Sequence, residues 1–135
     1  MSKLPAHIWV ILAVLWSLFD IAVHVLTNNV ELLRILGNLV LIAGALSLWS
    51  GAPRIGKLAL AVVAALVVVG LNGRFAQTEG VAVLMLIFVG VGLFLLLGAA
   101  FTLSFKWMSR PLRLALTTVC AGFGTVAVAM AALPI

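Results

Sequence analysis

The stretch VAVLMLIFVGVGLFLLLGAAFTLSF, residues 81–105, decides how this chain folds. It runs for twenty-five residues without a charge, and a helix needs about 20 predominantly apolar residues to cross ~30 Å of hydrocarbon. Working outward, four more runs meet the same test, over residues 8–27, 32–49, 55–72 and 111–133. The breaks between runs are short and carry turn chemistry: Thr27, Asn28 and Asn29; Gly51, Ala52 and Pro53; Asn72, Gly73 and Arg74; and residues 106–111. The reading is an all-α integral membrane protein, a bundle of five transmembrane helices in a single transmembrane domain over residues 1–135.

Composition leads to the same place. Hydrophobic residues make up 66% of the 135 and charged residues only 8%, with mean hydropathy +1.39, whereas soluble domains carry about 25% charged residues. A chain this short has too little interior to hide so much apolar surface from water, so its partner must be the lipid bilayer. The net charge of +5 would suggest nucleic acid in a soluble protein. Here the basic residues sit in the breaks between apolar runs, as topology signals and headgroup contacts, so no nucleic-acid partner is expected. The first run resembles a signal peptide but is too long for the usual hydrophobic segment and lacks a small-residue cleavage site, so it reads as a retained span.

The third run is the least secure. Its strictly apolar part, residues 58–71, is short and needs Lys57 to snorkel, so a chain of four spans with one re-entrant segment competes with five. Cytoplasmic loops retain lysine and arginine, which supports five. In that arrangement Lys3, Arg54, Lys57, Lys106, Arg110 and Arg113 share one side, while Arg34 and Arg74 fall on the other with Glu31 and Glu79 nearby. The N-terminus is then cytoplasmic and the C-terminus periplasmic or extracellular, in a bacterial-type inner membrane. Trp9, Trp49 and Trp107 lie near the cytoplasmic boundary, where amphipathic rings prefer to sit, and Trp16 lies deeper.

Small residues spaced three and four apart mark faces where helices in lipid can approach closely. The clearest stripe is Ala115, Thr118, Gly122, Thr125 and Ala129 in the fifth run, read as a face packed within the bundle or as a subunit interface. Gly37 and Gly44, Ala61 and Ala65, and Gly90, Gly92 and Gly98 offer shorter versions.

Asp20 is the one acidic residue inside a span, and an ionisable group in hydrocarbon is costly unless paired or hydrated. His24 follows on the same helical face, with Ser17 and Thr27 alongside. Counting from the intervening turn at 1.5 Å per residue, Asp20 and Asn38 both lie roughly 10 Å below the boundary. Arg34 stands between that boundary and Asn38, with a side chain long enough to reach Asp20. Asp20, His24, Arg34 and Asn38 are therefore expected to form one intramembrane polar network. It either neutralises itself and ties two helices together or serves as a binding or coupling site.

Other chemistry is sparse. No HExxH, P-loop or Gly-x-Ser-x-Gly motif occurs, and no second acid stands on a neighbouring span. Asp20 and His24 are two ligands where zinc wants three or four, and His7 belongs near the opposite boundary, so no metal and no cofactor is expected. Cys120, the single cysteine, reads as a packed thiol. Three functions follow in order: a non-catalytic accessory or assembly subunit partnered by other membrane subunits or by copies of itself; a homo-oligomeric ion or solute transporter using Asp20 as binding or coupling carboxylate; and a membrane enzyme, cofactor binder or quinone binder built on Asp20 and His24. No catalytic residue is assigned.

Overall fold

In hydrocarbon every backbone N–H and C=O must find its partner within the chain, and an apolar run does this most simply as a helix. The computed structural model describes residues 4–26, 32–49, 53–79 and 83–131, and contains five helices: α1 (Leu4–Leu26), α2 (Leu32–Ser47), α3 (Arg54–Glu79), α4 (Val83–Ser104) and α5 (Arg110–Ala131). The turns expected at residues 27–29 and 51–52, together with Lys3, Glu31 and the side chains of His7 and Arg54, lie outside the described residues. Helices α1, α3, α4 and α5 are long and apolar enough to cross a membrane. Helix α2, at 16 residues, is shorter, about 24 Å at 1.5 Å per residue.

The expectation about the third run is corrected here. Far from the weakest helix, α3 is the longest at 26 residues, and Asn72, Gly73 and Arg74 are inside it. An Asn-Gly pair favours a turn, but a single glycine inside a helix costs only about 1 kcal/mol, which packing on both sides overrides. Local side chains also support the continuation. Asn72 Nδ2 donates to the Val68 carbonyl at 2.9 Å, and Thr78 Oγ1 donates to the Phe75 carbonyl at 3.0 Å.

Successive helices run antiparallel. Trp9 packs on Phe94 and Trp16 on Phe88, which pairs α1 with α4 head to tail. Gly44 meets Ala64, and Gly37 meets Asn72, which does the same for α2 and α3. Gly90 faces Thr125, setting α4 against α5, while Val69 and Leu93 both press on Gly124. Helix α4 thus sits at the centre, touching all four others. A Cβ at Gly44 would come within 2.7 Å of the Ala64 Cβ, so the α2 and α3 backbones approach as closely as they do only because position 44 carries no side chain. The core is built from such small residues, with Ala13, Ala45, Ala61, Ala99 and Ala100 fully buried around Leu93 and Leu96.

The intramolecular face of α5 is not the expected stripe. Thr117, Ala121 and Val128 are buried, whereas Ala115, Thr118 and Gly122 are exposed and Thr125 and Ala129 are half-buried. The two faces are one residue, or about 100°, apart. Both are lined by small side chains, so spacing alone does not choose between them. The bulk of Leu93 and Val69 does, by seating on Gly124.

Candidate functional site

The chain reverses between α1 and α2, so residues equidistant from the reversal meet at equal height. Asp20, on α1, is 3% exposed, and Arg34 and Asn38, on α2, are 4% and 9% exposed. Arg34 Nη2 donates to Asp20 Oδ2 at 3.0 Å, and Asn38 Nδ2 donates to the same oxygen at 2.8 Å. Asn38 Nδ2 also reaches the Arg34 carbonyl at 3.0 Å, one turn back on its own helix. The other carboxylate oxygen, Oδ1, lies 3.2 Å from His24 Nε2, one turn along α1. The geometry therefore brings Asp20, His24, Arg34 and Asn38 into a single cluster, with Asp20 as its hub.

Helix α3 contributes two residues that sequence reasoning missed. Phe75 lies under the Arg34 guanidinium, its ring centre 5.9 Å from Cζ. Asn72, 4% exposed, lines the same small cavity as Asp20, Arg34 and Asn38. By composition Asn72 and Gly73 read as a turn, which places Asn72 on no helical face. Continuing the helical count through Gly73 would have kept it on the inner face with Ala61, Ala65 and Val68. The Oδ1 of Asn72, the hydroxyl of Ser17 and the Oδ1 of Asp20, which has only the 3.2 Å contact with His24, are buried without a hydrogen-bond partner among the described residues.

This arrangement can hold charge but has little room for a guest. The cavity beside Asp20 is about 10 Å³, roughly the space of one water molecule. The Asp20 carboxylate and the Arg34 guanidinium neutralise each other across 3.0 Å. Replacing such a pair by apolar groups is often neutral, but removing one partner costs about 3–5 kcal/mol. Its mechanical effect is to fasten α1 to α2. Among the described residues no three His, Cys, Asp or Glu side chains lie close enough together to hold a metal ion.

Nearby, Trp16 places its indole between α1 and α4 and donates from Nε1 to the Phe88 carbonyl at 3.0 Å. Phe19, Trp16 and Phe88 form an aromatic group beside the polar cluster. This explains a tryptophan so far from either helix end: the ring is packed among aromatics and its one polar atom is satisfied.

Of the residues singled out on α5, Thr118, Gly122 and Thr125 line an open, apolar groove of about 470 Å³ together with Gly90, Val91 and Phe94 of α4. A Cβ at Gly122 would meet nothing within 4 Å, so the groove floor is free on the outer surface of the bundle. Cys120 is half-buried and unpaired with any other cysteine.

No protein-family model, characterised protein or solved structure matches this chain.

Proposed function

We propose that this protein is a small non-catalytic accessory or assembly subunit that lends its helices to a larger membrane complex. The observation that carries the reading is the groove between α4 and α5, whose floor of Gly90, Thr118, Gly122 and Thr125 faces outward. In lipid, helices associate where small residues let backbones approach: Gly90 and Thr125 already pack α4 against α5, whereas Thr118 and Gly122 beside them stay exposed on the surface of the bundle. The occupant is a spanning helix of a partner subunit. The polar cluster agrees with this reading, since Asp20 and Arg34 pair with each other and the cavity beside them is about 10 Å³.

In this proposal all five helices cross a bacterial-type inner membrane, α2 with the least length to spare. The end that carries Lys57, Lys106, Arg110 and Arg113 faces the cytoplasm, which puts the N-terminus inside. The test is purification from native membranes in mild detergent, with mass spectrometry of what co-elutes. A partner at fixed ratio that is lost in Gly122→Leu is the expected result. A chain that elutes alone, in the same state with and without Gly122→Leu, would overturn the proposal.

One observation favours a second reading, transport through Asp20: Ser17 Oγ and Asn72 Oδ1 are buried polar atoms beyond those the ion pair uses. That reading requires substrate flux into liposomes that Asp20→Asn abolishes, and unchanged flux in Asp20→Asn would dismiss it.

A further inference from the structure

The end of the bundle away from Asp20 holds a different kind of site. A partly enclosed cavity of about 300 Å³ lies between the start of α1, the end of α4 and the first turns of α5, lined by Trp9, Gly98, Thr102, Arg110, Arg113 and Thr117. Its size is at the lower end of the ~300–1,000 Å³ range of small-ligand pockets, enough for a headgroup and not for a whole lipid. Trp9 forms one wall because position 98 has no side chain: a Cβ there would overlap its ring. Phe94 backs the same ring at 5.3 Å between centres.

Two cations line this cavity without a carboxylate. The chain has three acidic residues, Asp20, Glu31 and Glu79. The ion pairs of the described residues all involve Asp20, and Glu79 closes α3 at the opposite end of the bundle. Among the described residues the Arg113 guanidinium donates only to the Phe105 carbonyl, at 3.3 Å. Arg110 is exposed and makes no hydrogen bond or ion pair among the described residues. Both arginines stand in the first turn of α5, where the helix macrodipole disfavours positive charge. Among the described residues no carboxylate compensates them, which leaves the pair open to an anion from outside the chain.

We propose that this cavity binds the phosphate headgroup of an anionic phospholipid, with Arg110 and Arg113 as its ligands. The guanidinium fork matches phosphate oxygens in pairs. Basic pockets between spanning helices at the cytoplasmic side take anionic headgroups. A lipid fits better than a free phosphate because apolar surface adjoins the arginines. Leu112 and Leu114 are exposed on the same turns of α5, and the Trp9 ring lies across the cavity, so acyl chains have a surface to follow. The site depends on the chain lying in a membrane and is separable from the subunit proposal, because Arg110, Arg113 and Thr117 do not line the groove and Gly122→Leu leaves them intact.

The test uses the full chain in mild detergent, titrated separately with dioleoyl phosphatidylglycerol, dioleoyl phosphatidylcholine and inorganic phosphate, with bound molecules counted by native mass spectrometry. Phosphatidylglycerol is expected to bind at least about tenfold more tightly than phosphatidylcholine. Arg110→Gln/Arg113→Gln is expected to weaken it about 25-fold, near fivefold for each arginine lost. The pair Lys57→Gln/Lys106→Gln removes the same charge from the same end without touching the cavity, and should weaken it less than about threefold. Equal losses in the two double variants would mean diffuse surface attraction and would overturn the site. Inorganic phosphate binding as tightly as phosphatidylglycerol would make it a free-anion site, and no lipid preference in the unmodified chain would sink the proposal whether or not the variants fold.

Discussion

Arg34→Met removes one half of the Asp20 ion pair while keeping much of the volume. In the native chain Arg34 is 4% exposed and its Nη2 lies 3.0 Å from Asp20 Oδ2. After substitution Asp20 keeps Asn38 Nδ2 at 2.8 Å and His24 Nε2 at 3.2 Å but loses its countercharge. An uncompensated buried charge costs about 3–5 kcal/mol, and a surviving interhelical hydrogen bond offsets about 0.6–2 kcal/mol, so the expected loss is about 1–4 kcal/mol. The double variant Asp20→Leu/Arg34→Met should be within about 1 kcal/mol of the native chain, because both charges leave together. Asn38 is not orphaned in it, since Nδ2 still donates to the backbone carbonyl of residue 34, at 3.0 Å in the native chain. The assay is reversible unfolding in mixed micelles of rising dodecyl sulfate fraction, followed by tryptophan fluorescence. A single variant that loses less than about 1 kcal/mol, or a double variant as unstable as the single, would refute the view that the pair is a buried, mutually dependent unit.

Gly44→Val should destabilise by about 1–3 kcal/mol in the same assay, because its Cβ would come within 2.7 Å of Ala64 Cβ and force α2 from α3. Gly70→Ala, whose Cβ would meet nothing within 4 Å, is the matched control. Gly73→Ala should stabilise by about 0.4–1 kcal/mol if α3 is continuous there, since its Cβ finds only ordinary contact with Ala131 at 3.5 Å. A loss instead would restore the turn expected after residue 72. Asn72→Leu deletes a buried amide whose Oδ1 has no partner among the described residues. It should leave stability unchanged or raised, within about 1 kcal/mol, and a loss above about 2 kcal/mol would show that the amide is satisfied in the membrane.

How much of this was legible in the sequence varies by element. Helix positions follow from apolar length, since hydrocarbon leaves an apolar segment little alternative. Helix ends do not, because they depend on side chains that satisfy the backbone locally. Thus the Asn72–Gly73 pair, a turn signal by composition, lies inside a helix once Asn72 bonds back to Val68 and Gly37 receives its side chain. The juxtaposition of Asp20, Arg34 and Asn38 was legible by counting from a tight reversal, which equates depth on two antiparallel helices. What the cluster does was not legible. The contribution of α3 was lost with the misplaced helix end. On α5, small residues occupy adjoining faces, so spacing could not choose between them and the side chains of Leu93 and Val69 decided the matter. The cationic cavity was invisible for a related reason. In the sequence Arg110 and Arg113 read as topology markers, and convergence with Trp9 and Thr102 is a property of three helix ends meeting in space.

The two extra turns of α3 set how strongly the charges on α1 and α2 feel each other. Phe75 lies beyond the Asn-Gly pair, and its ring stands 5.9 Å from the Arg34 guanidinium, where it displaces solvent from one side. Coulomb attraction scales inversely with the local dielectric constant, so it differs about fourfold between a screened, partly protein-like environment near 20 and bulk water near 80. Shortening or fraying α3 past residue 72 would therefore weaken the Asp20–Arg34 attraction without moving either residue. The permittivity around the α1–α2 fastening is governed by a third helix, which makes the electrostatic strength of that hairpin a readout of whether α3 is intact.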